Sequence, residues 1–184
     1  LARRMLGDGH QVFLLLNSLP LSWRLEAIKD HVQLVQQDLR DGEGLNRCLA
    51  DMRPDWIFHL AAYGAYSYQV DVQRITQTNY QGTVNLLEAC RARDFEAFIH
   101  TGSSSEYGFK DHAPAENEWL EPNSYYAMSK AAATLHCRYV AIAHGLPIRT
   151  LRLYSVFGPY EEPTRLMPNL IVKGLAGEYP PLVN

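Results

Sequence analysis

Ala97-Phe98-Ile99-His100-Thr101-Gly102-Ser103-Ser104-Ser105-Glu106-Tyr107-Gly108 is the stretch on which the fold turns. Its apolar start, residues 95–100, reads as a short buried strand. The strand gives way at once to small polar residues, and 103–123 reads as a long polar loop. A helical pattern then covers 125–143 and is closed by Gly145 and Pro147. A second apolar run, 148–156, predicts the next strand. Strand, loop, helix, strand is the repeating unit of a parallel sheet, because parallel neighbours need a crossover connection.

The same alternation continues outward. Upstream, 56–61 reads as a strand and 70–93 as one long helix, with Ile75, Val84, Leu86, Leu87 and Ala89 on or near its core side. Residues 42–52 read as a helix, 31–36 and 11–16 as strands, and 21–28 as a short helix. The first residues, 1–7, look like the tail of a helix ended by Gly7-Asp8-Gly9. Downstream, 166–174 reads as a final helix. The pattern predicts an α/β fold with a doubly wound parallel sheet covered on both faces. Ligands of such sheets bind beyond the carboxyl ends of the strands, so candidate chemistry is sought there.

Bulk properties exclude several classes. The chain has 184 residues, 47% of them hydrophobic and 20% charged, as in an ordinary globular domain with a core. A formal net charge of -3 carries no nucleic-acid footprint. No apolar run approaches the ~20 residues that span a bilayer, and no signal peptide is visible. Cys48, Cys90 and Cys137 are far apart and form no ligand cluster, and the seven His are dispersed. This argues against a metal site and for a reduced, cytoplasmic setting.

Within the helix at 125–143, Tyr126 and Lys130 stand four apart and share a face. A phenol is a poor base in water, with a reference pKa of about 10. A nearby ammonium favours the phenolate and brings it toward neutral pH. A Tyr poised in this way can pass a proton to or from a sugar or alcohol oxygen. Spacing alone describes an ordinary solvated helix face, so the surroundings decide. Four strand ends supply them: Asp38-Leu39-Arg40-Asp41, His59-Leu60-Ala61-Ala62, Thr101-Gly102-Ser103-Ser104-Ser105-Glu106-Tyr107-Gly108, and Arg152-Leu153-Tyr154-Ser155-Val156-Phe157-Gly158-Pro159.

Together with Tyr126-Ala127-Met128-Ser129-Lys130, this ordered set resembles the extended short-chain dehydrogenase/reductase family. More narrowly it resembles the NAD-dependent epimerase/dehydratase branch, which acts on nucleotide sugars, over essentially all 184 residues. The resemblance implies a Rossmann-type sheet, with residues 1–159 as a partial NAD(P)-binding domain and 160–184 as the start of a substrate-binding region. It makes Tyr126 the acid/base, Lys130 the residue that tunes it and holds the nicotinamide ribose, and Ser103 the group that orients the reacting sugar oxygen. Asp38 and Leu39 match the pair at the adenine ring. Ala61 and Ala62 match the small residues along the cofactor's path, and Val156 with Phe157 matches the turn near the nicotinamide. Asn79, Ser104 and Ser155 fall at substrate-side positions, Asn79 on the helix under the site. A homodimer through the helices at 70–93 and 125–143 is also implied.

Three departures matter. Dehydratases of the family carry an acidic pair directly after the Ser/Thr; here Ser104 and Ser105 stand there, and Glu106 comes one place late. Second, an NAD-preferring member carries an acid at the end of the second strand for the ribose 2′-hydroxyl. The chain reads Leu15-Leu16-Asn17-Ser18. That leaves NADP open beside NAD, with Asn17, Ser18 or Arg24 near a 2′-phosphate. Third, Ser155 replaces an Asn common in relatives. The family's opening strand and GxxGxxG turn do not occur, and the first residues fall in the helix that would follow them. The chain is therefore expected to be an internal fragment that binds cofactor poorly and does not turn over on its own. The absent strand would lie between those at 11–16 and 56–61.

Blander roles compete at several positions. Asp38 is also a natural turn former and Ser103 a natural cap. His59, His100 and His136 read as packed structural residues. Tyr125 has Ser129 four residues on and does not match the motif. Glu106 and Tyr107 either shape a pocket or build a loop; Tyr63, Tyr66 and Tyr68 either line one or cover the sheet edge. For function, an epimerase, which keeps its cofactor, competes with an NADPH-dependent 4-keto-sugar-nucleotide reductase, which spends it. A non-catalytic cofactor-binding or scaffold protein is the reading from another class, and such relatives usually lose the Tyr or Lys retained here.

Overall fold

The computed structural model describes residues 1–18 and 22–179. Leu21, where the sequence predicts a short helix to begin, and Pro180 to Asn184 lie outside them. The elements run α1 (Ala2–Gly7), β1 (Phe13–Leu16), β2 (Gln33–Gln36), α2 (Gly42–Met52), β3 (Trp56–His59), α3 (Val72–Thr76), α4 (Gly82–Arg91), β4 (Ala97–Ser103), α5 (Tyr125–His144), β5 (Ile148–Leu153) and α6 (Leu166–Leu175). They fall into two units, Leu1–Leu153 and the segment from Tyr154 onward, which carries α6.

Every strand pairing among the described residues is parallel. β1 pairs with β2, and a separate sheet has the order β3-β4-β5. β1 and β3 thus belong to different sheets, at the place where the sequence reading sets an additional strand. The crossovers make this arrangement: α2 leads from β2 to β3, α3 and α4 from β3 to β4, and α5 from β4 to β5. One strand residue from each member of the larger sheet, Ile57, Phe98 and Ile148, meets Leu45 and Leu49 of α2, Leu86, Leu87, Ala89 and Cys90 of α4, and Cys137 and Val140 of α5. Each such large side chain contributes roughly 1.5–3 kcal/mol on burial.

Helix boundaries follow local chemistry. α2 starts at Asp41, whose side chain accepts from Gly44 N at 2.9 Å, and ends at Arg53 in the left-handed region. α5 starts at Ser124, whose Oγ accepts from Ala127 N at 3.1 Å, and ends at Gly145, also left-handed. Three expectations change. The long helix at 70–93 is α3 and α4 joined by a π-helical turn, Gln77–Gln81. The helix expected at 21–28 is a 3-10 helix at Glu26–His31. The loop expected from 103 opens with another 3-10 turn, Ser104–Tyr107. β4 also runs three residues further than its apolar stretch, because Thr101, Gly102 and Ser103 pair with Leu151, Arg152 and Leu153 of β5.

Candidate active site

The cap at Ser124 fixes the register of α5 so that Tyr126 and Lys130 follow one turn apart. Small residues, Ala127, Ala131 and Ala133, are buried along this helix and let it lie close to the sheet. Lys130 is only 2% exposed, whereas Tyr126 is half-buried. Burial pushes the Lys130 ammonium down to about 8, and the negative charge of Glu106 pulls the other way. Beneath it lie two buried histidines whose rings are 5.4 Å apart, His59 at the end of β3 and His100 in β4. Burial, with the Lys130 charge adding to it, pushes His59 down to about 3 and His100 to about 2, so both are neutral at physiological pH. His59 Nε2 lies 2.8 Å from Thr83 Oγ1, and that hydroxyl donates to Asn79 O at 2.6 Å. With the Thr83 proton so engaged, His59 Nε2 is the donor of the first bond.

Asn79 sits in the π-helical turn, fully buried. Its Oδ1 accepts from Tyr63 N at 2.8 Å; its Nδ2 donates to Tyr63 O at 2.8 Å and to Ser129 Oγ at 2.9 Å. Ser129 Oγ in turn donates to Tyr126 O at 2.8 Å. One side chain therefore ties the loop after β3 to the helical turn that carries Tyr126 and Lys130. π turns occur often at functional sites, where the extra residue re-aims a side chain. The loop then passes close to the tyrosine. At Gly64, φ is +96°, and a Cβ there would come 2.9 Å from Ile75 Cγ1 and 3.4 Å from Tyr126 Cδ2. Only glycine fits that conformation without strain.

Ser103 ends β4 and caps the next turn. Its Oγ lies 2.7 Å from Ser105 Oγ and accepts from Ser105 N at 3.3 Å. Glu106 closes the capping box, its Oε1 accepting from Ser103 N at 2.7 Å. The carboxylate does not point to solvent. It is fully buried and also accepts from Thr134 Oγ1 of α5 at 3.1 Å and Arg152 Nε of β5 at 2.9 Å. Gly102 makes room for it, since a Cβ there would lie 2.7 Å from Glu106 Oε1. Arg152 continues outward, donating to Tyr107 Oη and Glu116 O, each at 2.8 Å. Ser104, half-buried, lies in the same turn.

On the expected cofactor side, Asp38 makes the turn its residue type favours. It accepts from Arg40 N at 2.9 Å and from Arg40 Nη2 at 2.6 Å, and the guanidinium holds its carboxyl below the usual range. Leu39 packs against the core and, by its Cβ, against Gly82 of α4; its carbonyl accepts from Asn85 Nδ2 at 2.9 Å. Ala61 and Ala62 are exposed just past β3, which ends two residues earlier than expected. Ser18 Oγ donates to Asn17 Oδ1 at 3.3 Å, and Arg24 lies against the Trp23 ring with its carbonyl held by Arg3. Ser155 and Val156, expected at a strand end, lie in the second unit beyond β5. The first unit thus joins Asn79, Ser129 and Tyr126 through one chain of hydrogen bonds and Ser103, Glu106 and Thr134 through another, with Lys130 next to Ser129 on the same helix. Ser129, Thr83 and Thr134 enter the site without a motif of their own. Their signal in the sequence is faint: Thr83 and Thr134 stand four residues from Asn79 and Lys130, and Ser129 three residues from Tyr126.

A dinucleotide suits this edge of the fold. Ala61 and Ala62 present small, exposed side chains past β3.

Comparisons with known proteins agree. The model of the NAD dependent epimerase/dehydratase family matches residues 1–184. The chain is 34% identical over 166 residues to a dTDP-glucose 4,6-dehydratase of Xanthomonas campestris pv. campestris, covering 84% of this chain and 47% of that protein. Its structure is similar to that of the UDP-glucose 4-epimerase of Thermus thermophilus in complex with NAD, with a TM-score of 0.81, 29% identity, and 96% of this chain and 58% of that one covered. It is equally similar to DesIV, a dTDP-glucose 4,6-dehydratase from Streptomyces venezuelae with NAD and TYD bound: TM-score 0.81, 29% identity, 96% and 58% covered. The chain spans about half the length of the curated relatives it matches. A parallel α/β frame, a Tyr–Lys pair with the Lys buried, a serine at the neighbouring strand end and a family match over every residue lead to one conclusion: the chain belongs to the NAD-dependent epimerase/dehydratase family.

Proposed function

We propose that the whole protein is an NAD(P)-dependent nucleotide-sugar oxidoreductase of the epimerase type, acting at a sugar carbon that in relatives is most often C4. The observation that carries this is the buried Lys130 one helical turn from the half-buried Tyr126, on a helix tied to the end of β4 that holds Ser103. A bound nicotinamide would supply the hydride acceptor and donor. Tyr126 exchanges the proton with the sugar oxygen, Lys130 favours its phenolate electrostatically, and Ser103 Oγ orients that oxygen. Ala61, Ala62, Asp38 and Leu39 would line the cofactor, with Ser104 on the substrate side; Asn79, fully buried and bonded to Tyr63 and Ser129, acts by holding the helix under the site rather than by touching substrate.

Although curated relatives include dehydratases, elimination of water needs a free acid beside the serine. Ser104 and Ser105 cannot serve, and the Glu106 carboxylate is committed to Ser103 N, Thr134 and Arg152. An NADPH-dependent 4-keto reductase is the second reading, favoured by the acid-free end of β1 at Asn17 and Ser18. Incubation of the full-length protein with NADPH and a 4-keto nucleotide sugar separates the two. Stoichiometric NADPH loss means reductase; inversion at the sugar carbon without net loss means epimerase; neither would leave the cofactor-binding scaffold. The 184-residue stretch alone is proposed to bind cofactor poorly and not to turn over, and micromolar NAD(P)H binding by it would contradict that. A homodimer is proposed through the helices at 70–93 and 125–143; on α5, Leu135, Tyr139 and Ile142 are exposed along one stripe. A monomer in sedimentation equilibrium would refute it.

A further inference from the structure

Among the described residues, Glu106 is the only buried acid and Lys130 the only buried Lys or Arg. A buried charge is costly unless it is paired and hydrogen-bonded. Glu106 meets that demand in three directions: Ser103 N at 2.7 Å, Thr134 Oγ1 at 3.1 Å and Arg152 Nε at 2.9 Å. Thr134 is one helical turn beyond Lys130, so the carboxylate lies against the same buried face of α5 as the lysine. Gly102 is the accommodation in the strand, because any side chain there would strike the carboxylate.

We propose that Glu106 is a positioning residue of the site: it locks the backbone of Ser103 by a direct hydrogen bond and, without a direct ion pair, supplies the buried negative charge on the face of α5 that carries Lys130. Its functional meaning rests on the roles assigned above to Ser103 and Lys130; its geometry does not. The groups facing Lys130 are few. Glu106 comes from the turn after β4, Tyr126 and Cys137 from α5 itself, His59 from β3 and His100 from β4. The two imidazoles are neutral and the Cys137 thiol is pushed up to about 12 by burial, which leaves Glu106 as the negative charge. Arg152 and the Tyr107 hydroxyl share the outer side of the carboxylate and fix its orientation. A neutral residue at 106 would remove the counter-charge; a shorter acid would let Ser103 swing.

The test is a pH titration by NMR on the full-length protein carrying 13C-labelled lysine and glutamate side chains, with no substrate present. In Glu106→Gln, the Lys130 midpoint is expected to fall by about one pH unit from its wild-type position, and the Ser103 amide to lose its charge-assisted shift and exchange faster. A second variant keeps the charge and shortens the side chain. In Glu106→Asp, the Lys130 midpoint is expected to stay near its wild-type position while the Ser103 amide exchanges faster. An unmoved Lys130 midpoint in a folded Glu106→Gln protein overturns the proposal. If that variant does not fold, unchanged Ser103 amide exchange in Glu106→Asp overturns it alone. A merely structural Glu106 would leave the Lys130 midpoint where it is in Glu106→Gln. Because nothing turns over in these experiments, an inactive protein leaves them intact, and their failure leaves the proton-transfer role of Tyr126 untouched.

Discussion

Asn79→Ala offers the sharpest test of how the site is held together. The side chain is fully buried and makes three hydrogen bonds, two to the Tyr63 backbone and one to Ser129. A typical intramolecular bond is worth roughly 0.5–1.5 kcal/mol net, and a buried partner left unsatisfied costs about 1–3 kcal/mol. Tyr63 is half-buried, so water can reach part of what Asn79 abandons, and Ser129 keeps its bond to Tyr126 O. The expected loss is therefore about 2–3 kcal/mol, which in urea moves the midpoint down by about 1 M. Asn79→Asp is expected to be at least as costly, because it keeps the acceptor, loses both donor bonds and buries a charge. Urea denaturation followed by far-UV circular dichroism measures both. A loss below about 0.5 kcal/mol for Asn79→Ala would show that the bridge from Tyr63 to Ser129 does not hold the loop.

Neighbouring residues supply further tests. Gly102→Ala brings a methyl 2.7 Å from Glu106 Oε1 and 2.9 Å from Thr150 Cγ2, and overpacking of this kind should cost about 1–3 kcal/mol; a neutral effect would mean that the carboxylate does not lie over the strand. His59 and His100 have folded values of about 3 and about 2, below the unfolded ~6.5. The unfolded chain therefore binds their protons first. Stability is full above about pH 6.5 and is lost as pH falls toward the folded values, by about 4 kcal/mol between pH 7 and pH 5 for the two together. Urea midpoints at those two pH values should differ accordingly, and equal midpoints would exclude the buried neutral pair. Lys130, depressed to about 8, acts in a different window: stability should rise as pH climbs from about 8 toward 10.

Much of this was legible in the sequence because the decisive features are local. Gly145 marks the end of the helix at 125–143 in the sequence and closes it in the left-handed conformation, whereas the caps at Asp41 and Ser124 and the left-handed end at Arg53 come from the structure. The alternation of elements was enough for a parallel sheet, and the order of strand-end motifs was enough for the family. The break at Gln77–Gln81 was not legible, since Ile75, Leu86 and Ala89 keep a continuous apolar stripe across it. What produces the break is a set of contacts to Tyr63 and Ser129, 16 and 50 residues away in the chain. Glu106 was hidden for the same reason: its partners Thr134 and Arg152 lie 28 and 46 residues on. His59 and His100 read as packed structural residues in the sequence, and the packing adds that their rings lie 5.4 Å apart, buried and neutral.

The central claim is that Tyr126 carries the proton. Tyr126→Phe in the full-length protein, assayed with nicotinamide cofactor and a nucleotide sugar or its 4-keto form, tests it directly. Loss of the hydroxyl is predicted to lower kcat by about 10²–10⁴-fold, with cofactor affinity within a few fold of wild type. Turnover at the wild-type level in that variant would contradict the account.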